Sequence, residues 1–138
     1  MLTPILIHLR AMQLYSHHAH NLCARVPFHQ DHEFFGEVYE ALEGEYDNVI
    51  ERQIGLHGED GLDLNEILAG IHGITQHLET INVNENKTFY INLQSMEVKL
   101  LALIKSIIPS VSEGTRQMLG DICDRSEVRQ YKISRRLK

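Results

Sequence analysis

A chain of 138 residues, 43% hydrophobic with nine glycines and three prolines, fits one compact domain spanning 1–138 better than two domains or a disordered tail. The net charge of −6 is unevenly placed: residues 125–138 hold six Lys and Arg against Glu127 alone, and the rest of the chain has seven cations and eighteen acids. An acidic body with nine histidines suits cations, whereas the basic end suits phosphates or offsets a helix terminus. Cys23 and Cys123, far apart and outside any CxxC spacing, read as small buried hydrophobes of a reducing compartment.

Taken in chain order, Ile5, Leu9, Met12, Ala19, Leu22 and Val26 recur at three and four, which predicts a helix over 5–26 closed by Pro27. The opening apolar run is interrupted by His8 and Arg10 and lacks a basic start and a small-residue cleavage site, so a signal peptide is not expected. No stretch is long enough to span a bilayer, and the expected location is cytoplasmic, or nucleoid-associated if DNA is bound. Phe35, Val38, Leu42, Tyr46 and Val49 give a second long helix over 29–56 with glutamates on its other side. The turn-forming "HGEDGLDLN" separates it from a short helix over 64–81, expected to break at Gly70 and Gly73. Phe89, Leu93, Met96, Leu100, Leu103 and Ile107 predict a third long helix over 86–108, stopped by Pro109. Ser112 is a candidate cap for a fourth, with Met118, Leu119 and Ile122 facing inward. Four long helices without any alternating hairpin pattern indicate an all-α antiparallel bundle, with the short helix lying in the second connection.

Histidines and acids on the first two helices suggest metal chemistry. Asp47 and Glu51 sit at i and i+4, two adjacent carboxylates on one helix face, a pairing that is more often a solvated surface held by a cation such as Arg52 or Arg116. His20 and His32 flank the turn at Pro27 and are brought together by it, either as a ligand pair or as a hydrogen-bonded structural pair. His32 and Asp47 lie on one helix, fifteen residues and roughly 22 Å apart, so one ion cannot touch both within a single chain. They meet only if a second copy of the helix runs antiparallel across a two-fold axis. Imidazole with carboxylate suits Fe(II), Zn(II) or Mn(II). A site inside one bundle is disfavoured, because no Glu-x-x-His spacing occurs.

The order His20, Phe28, His32, Tyr46, Asp47, Glu51, Arg52, written H-x(11)-H with F-x-x-x-H and then Y-D-x-x-x-E-R, resembles the Dps miniferritins, the DNA-binding proteins from starved cells. "GTRQMLGDI" at 114–122 is similar to the start of that family's last helix, and the short helix near 64–81 to its extra helix. The resemblance implies a ferritin-like four-helix bundle assembled as a dodecameric hollow shell, with ferroxidase sites at two-fold interfaces. His20 and His32 of one subunit, with Asp47 and Glu51 of its neighbour, would then bind and oxidise Fe(II), by hydrogen peroxide or oxygen, and ferric mineral would be stored inside; Zn(II) or Mn(II) are alternative occupants. Two departures stand out. Gly36 occupies the place of the family's usual aspartate four residues after the second histidine, with Glu40 and Glu33 nearby but out of register, and no tryptophan is present, Asn21 and Tyr131 standing where the family often has one. A competing register through His17, His29 and Glu33 fails at its acids, where Gly44 and Asn48 stand, and leaves His17 an outer-layer or surface role.

At the C-terminal end, Arg125, Arg129, Lys132 and Arg136 form one helical stripe that fits nucleic-acid phosphates. The plainer reading is favourable charge at a helix C-terminus. A shell that binds DNA without sequence preference, its metal site vestigial through Gly36, is therefore the alternative function, and a helical scaffold with structural histidines is a third.

Overall fold

The computed structural model describes residues 1–82 and 84–138, and every regular element among them is helical. Helix α1 covers Thr3–Leu22, α2 Phe28–His57, α3 Leu64–Thr75, α4 Lys87–Ile107 and α5 Glu113–Leu137, with a 3-10 turn at Ile108–Ser110 ahead of α5. No helix among the described residues is long and apolar enough to cross a membrane. Helix α1 packs against α2, α3 and α4, while α5 lies on α4 and touches α2. The core is one hydrophobic cluster that includes Ile5, Leu9 and Met12 of α1, Phe35, Leu42 and Val49 of α2, Leu93 and Leu100 of α4, and Leu119 and Ile122 of α5.

The boundaries follow local chemistry. Helix α1 stops at Leu22 instead of running to 26: Cys23 is already extended, with ψ of 131°, and Val26, directly ahead of Pro27, is sterically biased away from helical backbone. Val26, in phase with the inward stripe, is therefore out in solvent at 91% exposure. The Val26–Pro27 peptide is cis, and Pro27 caps α2. Gly58, with φ of 73°, closes α2 by donating its N–H to the carbonyl of Ile54. Ser112 caps α5, its hydroxyl accepting from the Thr115 N–H at 3.4 Å. Gly70 and Gly73 do not break α3. A Cβ at Gly70 would lie 2.6 Å from Ile7 Cδ1, so the glycine is what lets α3 settle against α1.

Helix α5 is held by buried charge as much as by apolar contact. Arg129, 6% exposed, donates to both Glu97 oxygens of α4 (Nε–Oε2 2.5 Å, Nη2–Oε1 2.9 Å) and reaches Glu45 of α2 at 3.3 Å. Ser126 donates to Glu97 and Arg125 to Glu45 at 2.7 Å. Burial pushes the Glu97 carboxyl up, and Arg129 pulls it back only in part. Nearer the end, Arg136 grips Asp31 of α2 through two bonds of 3.1 Å; Asn86 donates to the same carboxylate at 2.9 Å, and Tyr90 of α4 also donates to it. Burial, and then the bond to Asp31, holds the Tyr90 phenol far above its ordinary value.

Removing one member of such a cluster strands its partner's charge in the interior, which typically costs about 3–5 kcal/mol. Arg129→Met is accordingly expected to lower the unfolding free energy obtained from urea denaturation by that order, with Glu97→Gln added on top restoring part of the loss. A second prediction concerns His8, whose Nε2–H donates to the Met96 carbonyl at 2.8 Å and whose burial lowers its pKa below 6.5. The unfolded chain then binds the proton more readily, so stability is lost as pH falls below about 6.5 towards the folded value. His8→Gln should flatten that part of the stability profile; an unchanged slope would contradict it.

Candidate metal centre

His20 lies in the last turn of α1, and His32 early in α2. The hairpin lays the two imidazoles face to face, centroids 3.8 Å apart and planes within 20°. Each ring is bonded to the other residue's backbone: His20 Nδ1 is 2.7 Å from the His32 carbonyl oxygen, and His32 Nδ1 is 2.8 Å from that of His20. A carbonyl only accepts, so both Nδ1 atoms carry hydrogen, and in the neutral rings both Nε2 atoms keep a free lone pair. Metal-binding histidines are commonly oriented in this way, with the second nitrogen donating to a carbonyl.

The carbonyls available for this purpose follow from the helix ends. That of His20 belongs to the final turn of α1, where no intrahelical partner remains; it also accepts from the Cys23 thiol at 3.7 Å. That of His32 lies inside α2, and a side chain at position 36 would lean back over it, since helical Cβ atoms tilt toward the N-terminus. Position 36 is glycine. A Cβ there would stand 3.0 Å from His20 Nδ1 and 3.1 Å from Cε1, tighter than ordinary contact, so the missing side chain makes the seat that the His20 ring occupies.

Aromatic rings extend the stack on both sides. Phe28 lies parallel to His32 at 5.1 Å, and Tyr39 meets His20 edge-on at 5.3 Å. His17 stacks on Tyr39 at 4.1 Å and its ring lies 6.4 Å from that of His20, next to the pair but not bonded into it. Beneath the pair, Asp31 is fully buried next in sequence to His32, and its bonds to Arg136, Asn86 and Tyr90 fix the first turns of α2.

Asp47 and Glu51 are exposed on α2 and form no ion pair among the described residues, so neither Arg52 nor Arg116 neutralises them. Glu51 faces an open groove between α2 and α5, lined also by Asn48, Arg52, Gln117 and Asp121. Glu33 and Glu40 are exposed as well. The chain therefore brings His20 and His32 together and does not bring Asp47 and Glu51 to them. Among the described residues, no three His, Cys, Asp or Glu side chains gather where they would hold one ion. A helical rise of roughly 1.5 Å per residue keeps the two half-sets about 22 Å apart, on faces of α2 separated by about 60°.

The C-terminal stripe lies where the spacing put it, and three of its four cations are ion-paired with acids of α2 and α4. Arg129 and Arg136 are bound to Glu97, Glu45 and Asp31, and Arg125 to Glu45; Lys132 is the member left exposed without a carboxylate partner among the described residues. Sequence reasoning missed the acids responsible, though a signal was there. Asp31 is in phase with Phe35, Val38 and Leu42, and Glu97 follows Leu93 and Met96, so both carboxylates fall on apolar faces.

No family model matches the chain, and no curated protein matches it.

The tautomer assignment can be checked directly. Long-range 15N–1H correlation at neutral pH should show the neutral forms of His20 and His32 protonated on Nδ1; an Nε2–H pattern for either ring would contradict the arrangement.

Proposed function

We propose that the chain is a ferritin-like four-helix subunit of the miniferritin kind, in which α3 is the extra helix of the second connection. It oxidises Fe(II) at pockets shared between two copies. The observation that carries this reading is the paired imidazoles, two lone pairs held ready at one end of α2, with two exposed carboxylates that form no ion pair among the described residues towards its other end. Each half-set is a poor site alone. An antiparallel second copy of α2 would complete both at once, because an isologous two-fold interface places residue i against j and j against i.

In that pocket, His20 and His32 would supply neutral nitrogen donors, and the partner's Asp47 and Glu51 would offset the charge of the ferrous ion. Two Fe(II) and one hydrogen peroxide, with two protons, give two Fe(III) and two waters. Dioxygen is the alternative oxidant. The ferric product would collect as mineral inside a closed shell, for which a dodecamer is the assembly implied by the resemblance. Cytoplasmic protection from iron and peroxide is the consequence. Mn(II) and Zn(II) suit the same donors and would compete.

Ferrous salt and peroxide added to the assembled protein should produce ferric absorbance much faster than in buffer. His32→Ala should lower that rate by at least tenfold with helix content unchanged, in line with the cost of disturbing a metal shell. A wild-type rate equal to the buffer blank would overturn the proposal.

A further inference from the structure

We infer that Asn86 is the positioning residue of the imidazole pair, a side chain that grips both arms of the α1–α2 hairpin at once. The inference rests on His20 and His32 being the nitrogen donors of the proposed pocket, and concerns what keeps them together. Asn86 stands at the N-cap of α4, where an asparagine ordinarily accepts a hydrogen bond from its own helix. It makes no such bond. At 2% exposure, its side chain is turned to the hairpin instead. Nδ2 donates to the Arg25 carbonyl at 2.8 Å and to Asp31 Oδ2 at 2.9 Å, while Oδ1 accepts from the backbone N–H groups of Ala24 and Arg25 at 3.4 and 3.5 Å.

These partners dictate both the orientation and the identity of the residue. A carbonyl and a carboxylate only accept, and backbone N–H groups only donate, so the amide nitrogen and oxygen cannot trade places. A carboxylate at 86 would have no proton for either acceptor and would add charge beside the buried Asp31; a hydroxyl has one proton for two acceptors. The bonds fall on the connection between the two rings. Residues 23–27 have no regular backbone structure, and Ala24, Arg25 and Val26 are exposed. On one arm, Cys23 closes the turn of α1 that carries His20, its N–H bonded to the Ala19 carbonyl and its thiol to that of His20. On the other, Asp31 directly precedes His32 and is held also by Tyr90 and Arg136. Asn86 thus sets the separation of the arms, and with it the register in which each ring reaches the other residue's carbonyl.

The test reads the rings of the metal-free, full-length protein by NMR, through the exchange of the two Nδ1 hydrogens with water and the contact between the rings. Asn86→Asp keeps the shape and loses both donated bonds; exchange should be faster by roughly tenfold or more as the hairpin opens locally. Adding Asp31→Asn again sets an amide against a carboxylate, and should recover most of the wild-type rate. Arg129→Met breaks a buried ion pair about 20 Å further down α2, and should cost stability while leaving the exchange within about twofold of wild type. Should Asn86→Asp not fold, Asn86→Ser is the milder variant with the same expected acceleration. An unchanged rate in the Asn86 variants, no recovery in the double variant, or equal acceleration in Arg129→Met would overturn the inference. The readout needs neither metal nor a second chain, so its failure leaves the shared pocket standing, and failure of the shared pocket leaves these rates as expected.

Discussion

Two imidazole N–H groups, each given to the backbone of the other histidine, determine what this hairpin can offer chemically. Because a carbonyl oxygen has no proton to give, the bonds from His20 and His32 fix the hydrogen on Nδ1 and leave Nε2 as the free donor on both rings. The arrangement needs three local conditions. Helix α1 must end within a turn of His20, so that its carbonyl is unspent; position 36 must lack a side chain, so that the His32 carbonyl can be reached from above; and the turn through Pro27 must bring the two rings to 3.8 Å.

The rest of the molecule keeps that hairpin in register. Asp31, one residue before His32, is tied from below by Arg136 of α5, Tyr90 of α4 and Asn86, so the start of α2 has little freedom to rotate or slide. The same device recurs further along, where Glu45 of α2 meets Arg125 and Arg129. Charges taken out of water stabilise little in net terms, and a well-packed apolar replacement often does as well. They do demand one specific partner, which makes them suited to fixing the azimuth of a helix that has functional residues on its other side.

Much of this was legible in the residue order, and the misses have identifiable causes. Periodicity located all four long helices, because each buries an apolar stripe of the right period. It put Val26 inside and Gly70 at a break, since spacing cannot register a proline's effect on its neighbour or a close crossing of two helices. The distance between His32 and Asp47 was readable as well, being only helical rise. What spacing could not give was direction in the C-terminal stripe: Arg129 and Arg136 align as expected and turn inward, and Arg125, still exposed, is tied to Glu45, because Asp31, Glu45 and Glu97 wait on faces that looked purely apolar. Gly36 read as a missing ligand from sequence, and its role as the seat of His20 emerges only when α1 and α2 are laid together.

The claim on which all else turns is that each pocket belongs to two chains, and subunit mixing addresses it most directly. His32→Ala and Asp47→Ala chains, each inactive alone, are unfolded together and reassembled in equal amounts. Random pairing leaves roughly a quarter of the pockets with intact imidazoles facing intact acids across an isologous two-fold, so about that fraction of wild-type iron oxidation should return. A mixture that assembles normally and stays as inactive as either parent would contradict the shared pocket.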